Sequence, residues 1–314
     1  MFSVVIPLFN KVKYIQRSID SVLNQTYSNF EIIVVNDGST DGSEKLVEKY
    51  GYRVKLINQQ NSGVSVARNR GVLEAKFDYI AFLDADDFWS FTYLESVKRA
   101  IEVYPNCGIF GLSYSKSIYR LEDALLKPWF EVENYFKIGI RNTLFTSSST
   151  IIHSSFFKSN NYFDTNLIRG EDLDLWFRAI LFFDHPPVYN FSKLVFYSQE
   201  DENQSTNHIS QLKKSLSYKI LNDDYWIFFQ ENYKQDFEAF KRKYVYFNLF
   251  SYLLDSNNDF DAKLLLKKLK GTYLFLKLPY LPSFVLLRYV LSHKFGKRFF
   301  RNYLKFCLRY IYRA

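Results

Sequence analysis

Three carboxylates follow an apolar run in the first third of the chain. Residues 80–83 are Ile, Ala, Phe and Leu, and they lead directly into Asp84, Asp86 and Asp87. Carboxylates this close repel one another unless a cation lies among them. In an extended segment Asp84 and Asp86 alternate onto one side, where both reach a single hard divalent ion whose remaining positions are open to phosphate oxygens. The pattern indicates a site for a nucleotide diphosphate.

Two other apolar runs also end in polar residues, in the segments 7–10 (PLFN) and 36–39 (NDGS). Ligands of an open parallel sheet bind at the carboxyl ends of its strands, so these segments are candidates for the same site. Taken singly, residues 36–39 are more typical of an ordinary turn than of a site. Residues 63–71 contain neither G-x-G-x-x-G nor a Walker sequence, so the usual dinucleotide and P-loop sites lack their defining residues.

The elements that would position these residues alternate along the first 115 residues. Apolar runs with strand character are separated by segments whose apolar residues recur at helical spacing. The predicted strands are residues 3–8, 30–36, 54–57 and 79–83. Continuous apolar strands alternating with helices indicate an α/β fold with a doubly wound, mostly parallel sheet. We divide the chain into residues 1–115, 116–207 and a helical, basic region at 208–314.

Composition excludes several classes of protein. The chain has 314 residues, 47% of them apolar, and two cysteines, so it is neither disordered nor a disulfide scaffold. Its first residues read as a strand rather than a signal peptide, and we expect a cytoplasmic protein. Residues 262–314 hold 13 of the 41 Lys and Arg and none of the 33 Asp and Glu. This basic excess predicts contact with an anionic partner, either a membrane or a nucleic acid.

Five segments, taken in order, resemble the successive motifs of family 2 glycosyltransferases with the A-type nucleotide-sugar fold. They are VVIPLFN at 4–10, FEIIVVNDGSTDGS at 30–43, GVSVARNRG at 63–71, YIAFLDADD at 79–87 and RGEDLDLWFRA at 169–179. The resemblance covers residues 1–205. It implies an inverting, metal-dependent transferase that moves a sugar from a nucleotide diphosphate, expected to be a UDP-sugar, to a hydroxyl of a saccharide acceptor.

The resemblance also assigns residues to the donor site. The nucleotide-binding positions it implies are Pro7, Leu8, Asp37, Arg68, Asp84 and Ala85. Asp37 would accept a hydrogen bond from the base, and Arg68 would contact the base or the diphosphate. Taken without the other motifs, Arg68 would be interpreted as a helix-surface arginine. Asp86 would bind Mn²⁺ or Mg²⁺, which bridges the two phosphates and stabilises the charge on the leaving diphosphate.

Residues 116–207 would bind the acceptor and supply the base. Transfer by one displacement needs a carboxylate that removes the proton of the acceptor hydroxyl. The resemblance implies Asp172 as this base, with Glu171 as an orienting or acceptor-binding partner. Both residues also suit the N-terminus of a helix, which would require no catalytic role. Residues 198–208 match a loop that closes over the diphosphate in this family, but Gln199 stands where His or Arg is frequent, so that contact is open.

The basic C-terminal region contains an amphipathic pattern at 294–313. Phe299, Tyr303, Phe306 and Tyr310 recur at helical spacing, and Lys and Arg recur on another face. This pattern is typical of a helix in a membrane interface, and the alternative is a helix docked on its own domain. We expect a protein peripherally attached to the inner face of the membrane, with a lipid-linked acceptor in surface polysaccharide assembly. Binding of nucleic acid is the competing function, and we expect none because carboxylate-rich strand ends would repel a phosphate backbone.

Overall fold

One mixed sheet organises the N-terminal part of the protein. The computed structural model describes residues 1–124, 127–140, 144–199, 211–222, 233–269 and 273–312. Within these residues nine strands form the sheet, in the order β3-β2-β1-β4-β8-β6-β9-β5, with β7 also paired to β9. The strands are β1 Phe2–Leu8, β2 Phe30–Asp37, β3 Lys55–Gln59, β4 Tyr79–Phe82, β5 Phe88–Trp89, β6 Ile109–Ser115, β7 Phe130–Glu131, β8 Thr150–His153 and β9 Val188–Phe196. The predicted α/β class is confirmed.

The four strands expected from the sequence lie side by side and are all parallel. Their carboxyl ends therefore meet at one edge of the sheet, which is the edge where the candidate residues were predicted. Beyond β4 the sheet changes character, because β8 runs antiparallel to both β4 and β6. Strand β1 is buried along its whole length, as expected for a strand covered on both faces.

Helices cover this sheet and make up the C-terminal region. They are α1 Ile15–Leu23, α2 Ser43–Glu48, α3 Val64–Leu73, α4 Tyr93–Val103, α5 Tyr135–Ile138, α6 Ser155–Lys158, α7 Glu171–Phe182, α8 Leu216–Asn222, α9 Lys234–Leu249, α10 Asp259–Lys268, α11 Leu274–Lys277, α12 Phe284–Ser292 and α13 Lys294–Phe306. A π-helical turn, Cys307–Ile311, follows α13. Ile15, Ile19 and Val22 form the buried stripe of α1, at the spacing that the sequence predicted.

The contact between α3 and β1 depends on Gly71. A Cβ atom at this position would lie 2.3 Å from Cγ1 of Val5, closer than any real side-chain contact. The absence of a side chain at Gly71 lets the helix lie directly on the strand. Since Arg68 is on the same helix, this close approach also fixes the height of its guanidinium above the sheet.

The chain divides into two compact units. The first comprises Met1–Glu133, Leu144–Thr165 and Asp172–Asn203, and it holds the sheet. The second comprises Asn134–Thr143, Asn166–Glu171 and Gln204–Ala314, and it holds α5 and the helices from α8 onward. Two short segments from the middle of the chain thus join the helical region, which the sequence division into three consecutive parts did not foresee.

The C-terminal helix α13 has its apolar residues on two faces rather than one. Phe300 and Leu304 are buried in the second unit, whereas Phe299 and Phe306 are exposed. The helix is therefore docked through one half of the predicted apolar face and presents the other half to solvent. Arg313, which the sequence pattern included, lies outside the described residues.

No single helix in the described part of the chain has the length and hydropathy to cross a membrane. The segments Leu274–Tyr280 and Phe284–Ser292 meet that criterion only when taken together, and they are bent by 87°.

Candidate active site

The acidic turn after β4 is held in place by helix α1. The hydroxyl of Ser18 lies 2.8 Å from the carbonyl oxygen of Ala85 and 2.6 Å from that of Asp87. Nη2 of Arg17 donates to the carbonyl oxygen of Asp86 over 2.9 Å. Because three consecutive carbonyl groups are fixed in this way, the carboxylates of the turn have a preset direction. Ala85, predicted at the nucleotide site, is buried and contributes its main chain here.

Asp87 differs from the other two carboxylates because its hydrogen bonds hold the turn in place. It is buried and accepts hydrogen bonds from the hydroxyl of Ser148 at 2.5 Å and from the N–H of Ser198 at 2.8 Å. The Ser148 hydroxyl also accepts a bond from the N–H of Asp84. Burial, followed by the charge of Asp84, raises the pKa of Asp87 well above its usual range. Asp87 is thus a structural member of the turn.

Asp84 and Asp86 each face a cation. Nη2 of Arg68 lies 2.8 Å from Oδ1 of Asp84, and Nζ of Lys11 lies 2.6 Å from Oδ2 of Asp86. Burial and the neighbouring Asp84 raise the pKa of Asp86, and the ammonium of Lys11 opposes that rise. The predicted role of Arg68 as a helix-surface residue is excluded, since it is buried and its guanidinium lies 5.3 Å from the ring centre of Phe163.

This carboxylate pair has the donor chemistry of a divalent-metal site. Oxygen ligands suit Mg²⁺ and Mn²⁺, and two carboxylates leave most of the coordination shell to phosphate oxygens and water. The cation that each carboxylate already attracts shows that positive charge is stabilised at this position. Among the described residues, no group of three or more His, Cys, Asp or Glu side chains is arranged to hold a metal. A metal here would therefore depend on the bound diphosphate to complete its ligands.

Asp37 has a defined structural role at the end of β2. Its carboxylate accepts three hydrogen bonds of 2.8 Å, from the side chain of Gln59 and from the N–H groups of Ser62 and Gly63. Asp37 therefore orders the loop between β3 and α3. Its contact with a nucleotide base stays a prediction.

The end of β1 lies beside the end of β2. Pro7 and Leu8 are the last residues of β1 and are both buried, so a ligand at this point would meet their main chain. The next loop is tied to its neighbour, because Oδ1 of Asn10 accepts a 2.8 Å hydrogen bond from the N–H of Thr40. Asn10 itself has a φ of 52°, in the left-handed region. The structure thus brings the predicted residues of β1, β2 and β4 to one edge.

Asp172 is connected to this edge through aromatic packing. It lies in the first turn of α7, and its Oδ1 accepts a hydrogen bond from the N–H of Leu173. One turn later the ring of Trp176 packs on Phe82 of β4 and on Phe163. The guanidinium of Arg68 lies over the same Phe163 ring. The helix bearing the predicted base is therefore packed directly against the strand that bears the acidic turn.

Glu171 belongs to the second unit, as does Gly170. Gly170 has a φ of 83°, and a Cβ atom there would lie 2.8 Å from Cβ of Leu216. Glycine is therefore required immediately before the acidic pair. The catalytic roles of Glu171 and Asp172 stay predictions, and residues 200–210, which include most of the predicted closing loop, lie outside the described residues.

Sequence reasoning missed the segment of Tyr197 and Ser198, where the N–H of Ser198 donates to the carboxylate of Asp87. Burial, followed by the charges of Asp87, Asp84 and Asp86, raises the pKa of the Tyr197 hydroxyl to about 12. Lys11, Arg17 and Ser148 were also missed. A signal for Ser18 was present, since it is a polar residue within the buried stripe of α1, whereas Tyr197 follows a strand that the sequence did not predict.

Comparison with known proteins gives a consistent family. The glycosyl transferase family 2 model matches residues 3–164. An uncharacterized glycosyltransferase of Rickettsia typhi is 30% identical over 234 residues, which are 70% of this chain and 70% of that protein. Glycosyltransferase GlyA of Streptococcus pneumoniae is 38% identical over 116 residues, but these are 36% of this chain and only 17% of GlyA.

Solved structures agree in fold. TarS 1-349 of S. aureus, in complex with UDP-GlcNAc, has a TM-score of 0.67 at 19% identity, over 99% of this chain and 91% of that one. The mannosyltransferase PcManGT of Pyrobaculum calidifontis, in complex with GDP-Man and Mn²⁺, has a TM-score of 0.56 at 14% identity, over 99% and 86%. These likenesses show an A-type glycosyltransferase fold. Because the family model covers more than half of the chain, the protein belongs to glycosyl transferase family 2.

Proposed function

We propose that the chain transfers a sugar from a UDP-sugar to a hydroxyl of a saccharide acceptor. The observation that carries this proposal is the pairing of Asp84 with Arg68 and of Asp86 with Lys11 at the carboxyl ends of parallel strands. Alternating carboxylates and cations complement both a metal ion and a diphosphate. UDP is favoured as the nucleotide because TarS, which has the same fold, binds UDP-GlcNAc.

A divalent metal, Mn²⁺ or Mg²⁺, would be held by Asp86 with Asp84 beside it. When bound, the metal supplies positive charge that stabilises the leaving diphosphate. The presence of Mn²⁺ in PcManGT supports metal use in this fold. Arg68 adds a fixed charge from the protein, because its guanidinium is buried and held at Asp84.

Asp172 is the proposed base. As the acceptor oxygen forms its bond to the anomeric carbon, the bond from that carbon to the diphosphate oxygen breaks, and the hydroxyl proton passes to the carboxylate of Asp172. A single displacement of this kind inverts the anomeric centre. Glu171 would orient the acceptor, and the electron pair of the broken bond leaves with UDP.

The acceptor is proposed to be a lipid-linked saccharide used in surface polysaccharide assembly, at the cytoplasmic face of the membrane. The support is the C-terminal region, where exposed aromatic side chains and many cations lie on the same helix. Such a surface suits reversible attachment to anionic lipid.

A panel of nucleotide sugars tests the donor proposal. Full-length protein would be incubated with each sugar, with and without Mn²⁺, and the released nucleotide and the anomeric configuration of the product would be measured. We expect release from a UDP-sugar that depends on Mn²⁺, with inverted product. Retained configuration would overturn the single displacement. Binding of oligonucleotides without turnover of any nucleotide sugar would favour the competing nucleic-acid function.

A further inference from the structure

A cationic pocket lies on the second unit, and none of its lining residues is assigned to the donor site. Its volume is about 530 Å³. Six basic side chains line it: Arg169, Lys294, Lys297, Arg298, Arg301 and Lys305. Phe247, Phe250, Asn248 and Asn302 also line it. The lining therefore combines basic residues with aromatic and amide residues.

Five of the six cations come from helix α13. Lys294, Arg298, Arg301 and Lys305 are spaced by three or four residues, and Lys297 lies next to Arg298 and four residues before Arg301, so all five lie on one side of the helix. The sixth, Arg169, comes from a distant part of the sequence and is fixed there. Its carbonyl oxygen accepts a hydrogen bond from the N–H of Leu216, and its guanidinium lies 5.5 Å from the ring centre of Tyr252. The charges therefore face a cavity from two chain segments, unlike those of a simple solvated helix face.

These cations have no acidic partners in the described part of the chain. None of the six forms an ion pair there, and residues 262–314 contain no Asp or Glu at all. By contrast, Arg288 on the preceding helix makes two 3.0 Å hydrogen bonds to the carboxylate of Asp259. Converging like charges without a counter-charge is unfavourable, and a bound anion would relieve it.

The crowding of charge is also visible in Lys305. Burial, followed by the positive charges of Arg301 and Arg309, lowers the pKa of its ammonium group. A bound anion would act in the opposite direction and favour the protonated form. The pocket thus has the electrostatic character of an anion site.

The surface beside the pocket is apolar and exposed. On the same helix, Phe295 and Phe299 are 81% and 64% exposed. On α12, Val285 and Tyr289 are 74% and 68% exposed. An exposed apolar surface next to a cluster of cations matches a membrane interface, where phosphate groups lie directly above acyl chains. A small soluble anion would leave these apolar side chains exposed to water, whereas a membrane would bury them.

We propose that this pocket binds the phosphate group of an anionic membrane lipid, with the exposed aromatic side chains of α13 inserted beside it. Arg and Lys supply the charge, and the planar guanidinium groups of Arg298 and Arg301 suit phosphate oxygens. This deepens the membrane attachment proposed above, since it replaces diffuse attraction by a discrete headgroup site. It does not depend on the donor site.

Co-sedimentation of the full chain with vesicles tests the proposal. Vesicles of phosphatidylcholine alone would be compared with vesicles that also contain phosphatidic acid. The pocket variant is Arg298→Gln/Arg301→Gln. The control is Lys263→Gln/Lys267→Gln, which removes the same charge from α10, in the same unit but outside the lining of the pocket. All four positions are exposed, so neither variant disturbs the core.

We expect wild type and control to bind phosphatidic-acid vesicles within about threefold of each other, and the pocket variant, which lacks two charges, to bind about 30 times more weakly. If both variants weakened vesicle binding equally, the discrete site would be overturned. Equally strong binding of wild type to vesicles without phosphatidic acid would also overturn it. Preference for an oligonucleotide over vesicles would overturn the lipid as occupant. Calorimetry with UDP is read separately: failure of UDP binding would overturn the donor proposal while leaving the vesicle result to decide the pocket.

Discussion

The acidic turn of the first unit and the cationic pocket of the second hold charge in opposite ways. Asp84 faces Arg68, Asp86 faces Lys11, and Asp87 accepts hydrogen bonds from two serines. Around the pocket on α13, cations face other cations, and the nearby sequence has no acid to match them. A site of the first kind is organised before its ligand arrives, and ligand binding must exchange existing pairs. A site of the second kind is completed only by an anion from outside the chain.

The largest expected effect is on turnover, and it distinguishes Asp172, the proposed base, from Asp84 and Asp86, which are proposed to bind the donor. Asp172→Asn keeps the shape of the side chain and removes its basicity, so turnover should fall by roughly 10² to 10⁴ while UDP binding is retained. Steady-state transfer assays and calorimetry measure the two effects. Asp184→Asn, at an exposed position after the same helix, is the control and should transfer at the normal rate. Normal turnover of Asp172→Asn would show that Asp172 only stabilises the N-terminus of α7 and is not the base.

The next effect concerns the acidic turn itself. Asp86→Ala removes the carboxylate proposed to bind the metal, so UDP affinity in the presence of Mn²⁺ should fall to the level measured without metal. Titration calorimetry with and without Mn²⁺ gives both values. The exposed Asp78 precedes the same strand, and Asp78→Ala should keep the metal-dependent gain. If Asp86→Ala kept the gain too, the metal role would belong to another residue.

Gly71→Ala tests whether the pairing of Arg68 with Asp84 depends on the close packing of α3 against β1. The added methyl group would meet Val5 and push α3 from the sheet, so the protein should lose about 1–3 kcal/mol of unfolding free energy. UDP affinity should fall as well, because α3 carries Arg68. Urea unfolding measures the first effect. Leu73→Ala, at an exposed position of the same helix, should change stability by at most about 0.5 kcal/mol. Equal stability of the two variants would contradict the close packing.

The sequence could predict the parts of the site that depend on residues close together in the chain. The four parallel strands are apolar runs, and the observed bounds differ from the predicted ones by one or two residues, as in Lys55–Gln59 against 54–57. The acidic turn was visible because three carboxylates end such a run. Partners such as Ser148 were not visible, since it lies 61 residues from Asp87 and only the sheet brings them together. Periodicity likewise located the faces of α13 but could not say which one docks.

Lys11 offers the smallest effect and the sharpest one, because its sign depends on which ligand is added. A divalent ion must displace the ammonium from Asp86, so Lys11→Met should raise Mn²⁺ affinity without nucleotide by a few-fold, up to about tenfold. With Mn²⁺ present, UDP affinity should instead fall, because the displaced ammonium would lie beside the diphosphate. Lys13→Met changes an exposed lysine in the same loop and should move neither value. Shifts of the same sign for metal and nucleotide would show that Lys11 does not exchange Asp86 for phosphate, and the pair would then only stabilise the turn.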